Sequence, residues 1–178
     1  IMAGAPPSRP PTEATFYKSF WRSAMVWEEL ERAGVPDVVG VYCPPEGNTR
    51  LLTVVAIRQR YPGHVRQAGM IASQCHAAAY LGRFTVVVDD DIDPTDMKDV
   101  WWAMTTRCDP AEDIEILRRC WSGPLDPIVQ RGKKGFNSRA VIDACRPYEW
   151  IKDFPASVIV PPDLARQVRQ KWGKQILS

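Results

Sequence analysis

The sequence holds no apolar run near the ~18 residues that a membrane-crossing helix needs, and no signal-peptide pattern opens it. Histidine is nearly absent. His64 and His76 lie twelve positions apart, not at the i, i+4 spacing of a helical zinc pair. His64 follows Pro62-Gly63 and reads as an exposed loop residue; His76, in an alanine-rich stretch, reads as a core residue. Five cysteines (43, 75, 108, 120, 145) make an odd number without C-x-x-C spacing, which argues against a disulfide framework and points to a reduced, cytoplasmic protein. There is no G-x-S-x-G, Walker loop or G-x-G-x-x-G to announce a nucleophile elbow or a phosphate cradle. A net charge of +2 with scattered basic residues leaves no electrostatic footprint for nucleic acid. Internal repeats are also lacking.

What is present fits one globular domain: 178 residues, 45% hydrophobic and 25% charged. Residues 1–17 read as a lead-in or linker, rich in Pro, Ala and Gly over the first eleven, and 18–178 as the domain. Apolar spacing in FWRSAMVWEELERAG predicts a helix that Gly34 and Pro36 end. Val38–Cys43 and Leu51–Ile57 predict hairpinned strands around Pro44-Pro45-Glu46-Gly47-Asn48. A helix is expected over Val65–Leu81, a strand covered on both faces over Phe84–Val88, a helix over Met97–Thr106, and a strand or turn over Ile114–Arg118. The segment from Ser122 to Trp150 has little periodicity and reads as irregular. Pro161–Trp172 predicts an amphipathic C-terminal helix. The class is α/β: a mixed sheet with helices on both faces, an irregular segment and a C-terminal helix.

The densest chemistry is TVVVDDDIDPTDMKDVWWAMTTR, from Thr85 to Arg107. Asp93 reads as a helix N-cap, with Pro94 at the first helical position and Asp96 in the first turn. Asp89, Asp90 and Asp91 need another account. Alternation along a strand turns at least one of them inward, and a buried carboxylate needs a partner. Arg107 is one possibility; Arg83, at the other end of the strand, is too far. An ion-pair or backbone-capping network is therefore one reading of the trio. A Mg²⁺ or Ca²⁺ site is another, although the spacing lacks the glycine of a calcium loop. A phosphoacceptor site would require acids at the end of an earlier strand, and none stand there. The pair Trp101-Trp102 reads as core or interface packing.

FTVVVDDDIDPTDMKDVWWAMTTRCDP resembles the signature of the C-terminal domain of the UbiD family of decarboxylases. LLTVVAIRQRYPGHVRQAG before it, and SGPLDP and VIDACRPYEW after it, resemble further family segments in the same order, covering about residues 30–172. The resemblance implies a non-oxidative decarboxylase of small aromatic or α,β-unsaturated carboxylic acids. It would use prenylated FMN with a divalent metal (Mn or Mg) and K⁺. In that family the flavin, the metal and the catalytic Glu-Arg-Glu residues lie in an N-terminal domain that nothing in this chain resembles. The resemblance thus implies a C-terminal domain that forms a homodimer or higher homo-oligomer and closes over the active site. It would be inactive in isolation and would carry no catalytic residue or metal ligand. It also implies that Arg83 faces cofactor or substrate, that Leu125 lends an apolar side chain to the substrate pocket, and that Asp89, Asp90, Asp91, Asp93 and Arg107 are a structural signature. The residues by themselves leave open a stand-alone interaction or regulatory domain, or a small complete enzyme built on the Asp cluster.

Overall fold

The structure is a computed structural model that describes residues 11–130, 132, 135–158 and 160–176. In chain order it contains α1 (Glu13–Arg32), β1 (Val38–Tyr42), β2 (Leu52–Ile57), α2 (His64–Gln74), α3 (His76–Ala79), β3 (Phe84–Asp89), α4 (Met97–Arg107), β4 (Ile114–Trp121), β5 (Phe136–Ala144) and α5 (Pro162–Ile176). The strands form one sheet in the order β1-β2-β3-β5-β4. β2, β3 and β5 run parallel in its centre; β1 and β4 pair antiparallel at the two edges. The expected α/β class with a mixed sheet is observed, and β1 and β2 form the expected hairpin.

The central strands are apolar on both faces because both faces are covered. Val55, Ile57 and Val87 point to one side, where they pack with Val26 and Leu30 of α1 and Ala68 and Ala72 of α2. Their neighbours Val54, Ala56, Val86 and Val88 point to the other, against Val100 and Ala103 of α4. Small residues bring α2 down onto the sheet. A Cβ at Gly69 would lie 2.5 Å from Val141 Cγ1 and 3.1 Å from Val87 Cγ2, so the closeness of helix and sheet depends on that missing methyl.

Several expectations need correction. The helix expected over Val65–Leu81 is two helices. Cys75 is extended (φ −60°, ψ 153°) and closes α2 while opening α3. The break exposes C-terminal carbonyls, and Arg139 of β5 fills it by donating to the carbonyls of Ser73, Ala79 and Trp121. Arg139 is fully buried without a carboxylate, so burial lowers its pKa.

β5 lies within the segment read as irregular. Its polar residues Asn137 and Arg139 are buried, which erased the apolar pattern that would have revealed a strand. β4 runs three residues further than expected, through a bulge where Arg119 takes a positive φ of 59°. Such a bulge twists an exposed edge away from unwanted pairing. α1 begins at Glu13, inside the stretch read as lead-in. The histidines are exchanged: His64 is buried and His76 exposed. His64 starts α2, accepts the Arg60 amide at Nδ1 (3.3 Å) and packs on the Tyr61 ring.

Substituting Gly69→Ala should destabilise the domain by about 1–3 kcal/mol, the usual cost of overpacking a dense core. A urea titration that found the variant as stable as the parent would refute the close α2–sheet contact.

Candidate functional site

β3 ends in the acidic motif, and its three consecutive aspartates take three different roles. Asp89 is 1% exposed. Its Oδ1 accepts from Gln59 Nε2 (2.7 Å). Its Oδ2 accepts from Arg107 Nη1 (3.0 Å), from the Arg146 amide (2.7 Å) and from Arg146 Nε (3.0 Å). Asp91 accepts both arms of the Arg107 fork, Nη1 at 2.9 Å and Nη2 at 2.8 Å, the two-pronged geometry that suits guanidinium to carboxylate. Asp90 turns outward to Arg58 Nε (2.8 Å). Gln59 also donates to the Arg146 carbonyl (2.8 Å). The Trp102 ring lies 5.1 Å from the Arg107 guanidinium carbon and covers it.

The network thus joins the exit of β2, the exit of β3, the last residue of α4 and the segment after β5. Hydrogen bonds from Arg107 hold the Asp91 carboxyl below its usual range, against the opposing effect of burial. Burial works to lower the Arg107 pKa, but the hydrogen bonds and charge of Asp91 and the charge of Asp89 outweigh it and raise the value.

Capping differs from expectation by three residues. Asp96, not Asp93, is the N-cap of α4 and accepts the Lys98 amide at 2.8 Å. Asp93 instead closes a turn, accepting the amide and hydroxyl of Thr95, both at 2.8 Å. Pro94 does not open the helix because it packs on β1: a Cβ at Gly40 would stand 2.9 Å from its Cγ. Among the described residues no group of three or more His, Cys, Asp or Glu side chains is placed to hold a metal ion.

Arg83 and Leu125 belong to the opposite end of the sheet. Six residues of strand, roughly 20 Å, separate Arg83 from Asp89. Arg83 is not a solvated helix-exit charge. It is bound to Asp126, whose side chain is fully buried. Asp126 also accepts from Ser122 Oγ (2.8 Å), Asn137 Nδ2 (3.0 Å) and the Ile128 amide (3.2 Å). Burial alone would raise the Asp126 pKa; these donors and the Arg83 charge reverse that and lower it. Asp126 is the residue that sequence reasoning missed. Its Pro-flanked turn resembles any surface turn, and its partners lie 43 residues before it and 11 after it. Leu125, beside it, is half exposed, as are Phe84, Phe136 and Ile128. Trp101 and Trp102 are exposed as well, so neither is core packing, and Trp102 lies over Arg107 instead.

The model of the 3-octaprenyl-4-hydroxybenzoate carboxy-lyase C-terminal domain, UbiD_C, matches residues 15–144. The chain belongs to this UbiD C-terminal domain family. An uncharacterised protein of Aeropyrum pernix is 31% identical over 177 residues, which is 98% of this chain and 35% of that protein. Among solved structures the chain is similar to the UbiD-class enzyme HmfF from Pelotomaculum thermopropionicum in complex with FMN. The identity is 27% and the TM-score 0.71, covering 82% of this chain and 31% of that one. It is also similar to the vanillic acid decarboxylase of Sedimentibacter hydroxybenzoicus in open form, at 25% identity and a TM-score of 0.71, covering 95% of this chain and 35% of that one. The chain spans about a third of the length of these relatives.

Two of the cavities of this UbiD-type domain are lined by acidic side chains close to the network. The larger, about 750 Å³, lies between α4 and the segment before α5, lined by Asp91, Asp99, Trp102, Phe154 and their neighbours. The smaller, about 100 Å³, lies between α2 and the β4–β5 edge. Asp143 lines it beside Asp113, Glu112 and Glu115, and Arg66 is paired to Glu115 at 2.5 Å. Burial, with Asp113 and Asp89 nearby, pushes the Asp143 carboxyl up to about 7, although the Cys145 amide bonds to it.

Replacing Arg107 by Met should cost about 3–5 kcal/mol, because Asp89 loses a buried countercharge; denaturant unfolding measures it, and a near-neutral change would remove the network from the domain's stability. Asp143 gives a second expectation. Its folded-state pKa is raised, so the folded domain holds a proton more tightly than the unfolded chain. The Asp143 contribution to stability is then largest below about pH 4, falls as pH rises towards about 7, and stays flat above. Asp143→Asn should remove that slope and gain on the order of 2–4 kcal/mol at pH 8, read from urea unfolding at pH 5 and pH 8.

Proposed function

We propose that the chain is the C-terminal, assembly and closing domain of a non-oxidative decarboxylase of aromatic or α,β-unsaturated carboxylic acids, the domain beginning with α1 and not at residue 18. The observation that carries this reading is the commitment of the acidic signature. Asp89 and Asp91 are fully engaged by Gln59, Arg107 and Arg146, so the motif shared with the family is a structural clamp and not a set of catalytic acids. Family membership and the similarity to UbiD-class enzymes support the parent activity.

The prenylated FMN, divalent metal and K⁺ of such an enzyme would be held by further polypeptide. At this end of the sheet Arg83 is already bound by Asp126, and Leu125 is half exposed. That suits the rim of a flavin or substrate site and not a cradle for the whole cofactor. Arg83 and Leu125 are proposed to form this rim. Asp89, Asp90, Asp91, Asp93 and Arg107 are proposed to hold its scaffold. The apolar ridge of α5 supports a role against other protein surface: Leu164, Val168 and Trp172 recur at i, i+4 and i+8 and remain about half exposed.

The test is a decarboxylation assay on the longer polypeptide that carries this domain, produced with a supply of prenylated FMN and offered aromatic and cinnamic-type acids. Turnover is expected, with Leu125→Ala raising KM more than it lowers kcat. Turnover by the 178-residue chain alone would overturn the reading, as would a cofactor-loaded long form inert on every acid.

A further inference from the structure

The turn that carries Leu125 is held more firmly than an exposed turn needs. Its outward side chains, Leu125 and Ile128, are 47 and 60% exposed. Beneath them Asp126 is 1% exposed, and both of its carboxylate oxygens are engaged. Oδ1 accepts from Arg83 and from the Ile128 amide; Oδ2 accepts from Ser122 Oγ and from Asn137 Nδ2. Those donors come from the entry to β3, from β5 and from both limbs of the turn itself. The main chain adds its own bonds. The Asp126 amide donates to the Gly123 carbonyl (2.9 Å), the Val129 amide to the Asp126 carbonyl (3.1 Å) and the Ser122 amide to the Gly135 carbonyl (2.7 Å). Asn137 Nδ2 is shared with the Gly82 carbonyl (3.0 Å). Gly123 lies so close to Tyr80 that a Cβ has no room there, and Tyr80 packs on Trp121 with 5.2 Å between ring centroids.

Burying a carboxylate is unfavourable unless donors satisfy it, and a turn that only had to reverse the chain could be closed by a hydrated Asn or Ser. What the buried anchor adds is a fixed direction. The main chain at residue 126 cannot rotate without stripping the carboxylate from Arg83, so Leu125 leaves the surface at one angle. Phe84 and Phe136, the first residues of β3 and β5, stand at the same end of the sheet, 46 and 48% exposed. We propose that Asp126 is a positioning residue that sets selectivity among carboxylic acids by fixing Leu125. The assignment rests on the rim role proposed for Leu125 above and names what governs it. Anchored on Arg83, Ser122 and Asn137, Asp126 decides how far the leucine leans over a bound acid, and so how large a ring substituent passes beneath it. Steric discrimination is only as sharp as the wall is rigid. A loosened turn lets Leu125 swing aside, so bulky acids gain and small acids lose a contact.

Hydrogen exchange on the 178-residue chain reads the anchor, and steady-state kinetics on the longer polypeptide loaded with prenylated FMN read its consequence. In Asp126→Asn the amides at 126, 128 and 129 should exchange on the order of 10-fold faster, while those of β3 stay protected. Of the aromatic or cinnamic-type acids that turn over, an unsubstituted acid is compared with a bulky ring-substituted one. The ratio of their kcat/KM values should fall by about 10-fold, mainly through KM. Once Leu125→Ala is present, Asp126→Asn should leave the ratio unchanged, because no side chain remains to be aimed. Ser122→Ala removes one donor and keeps the charge pair; it should move both readings the same way by less, and it replaces Asp126→Asn should that variant not fold. An Asp126 that only stabilises the fold would lower turnover of every acid by one factor and leave the ratio alone. That result would overturn the assignment, as would additive effects of the two substitutions, or turn amides whose exchange is unchanged. A cofactor-loaded long form that is inert on every acid before any substitution overturns the proposed function and this assignment with it, so the unaltered protein tells the two failures apart.

Discussion

A single buried carboxylate organises one end of this domain. Asp89 ends the central strand with almost no access to water, and a lone charge there would cost several kcal/mol. It is tolerated because four hydrogen bonds converge on it from three other parts of the chain. Those donors lie after β2, at the end of α4 and after β5, so satisfying the charge means bringing these segments together. The carboxyl ends of parallel strands are where open α/β sheets usually receive ligands. Here that edge is occupied by the domain's own side chains.

The opposite end repeats the device. Asp126 is buried beneath its loop and held by Arg83, Ser122 and Asn137. Between these carboxylates, Arg139 satisfies its charge with main-chain carbonyls alone and thereby fixes the break between α2 and α3. All three buried polar groups find their partners within the domain. Asp126 also holds in place the Leu125 end of the sheet.

That division of labour fits a domain that spans about a third of the length of its relatives. Its strand-end edge is filled by its own side chains, while Leu125, Trp21 and Leu164 stand on surfaces that remain apolar and exposed. The acidic motif that draws the eye as a metal cage is the part most fully neutralised.

The sequence by itself determined the family and those local elements whose buried face is apolar. The β-branched residues of Val54–Ile57 and Thr85–Val88 marked strands, Gly34 with Pro36 marked a helix end, and a buried aspartate of the trio needed a partner. Tertiary structure decided whatever depended on partners far along the chain. β5 was hidden because Asn137 and Arg139 sit in a strand yet look like surface residues until Asp126 and the helix-end carbonyls are seen around them. Capping moved from Asp93 to Asp96 because Pro94 was drawn onto Gly40 of β1. Periodicity records which face an element turns inward when that face is apolar. It is silent when the buried group is polar, because only the folded chain brings the partner that makes burying it tolerable.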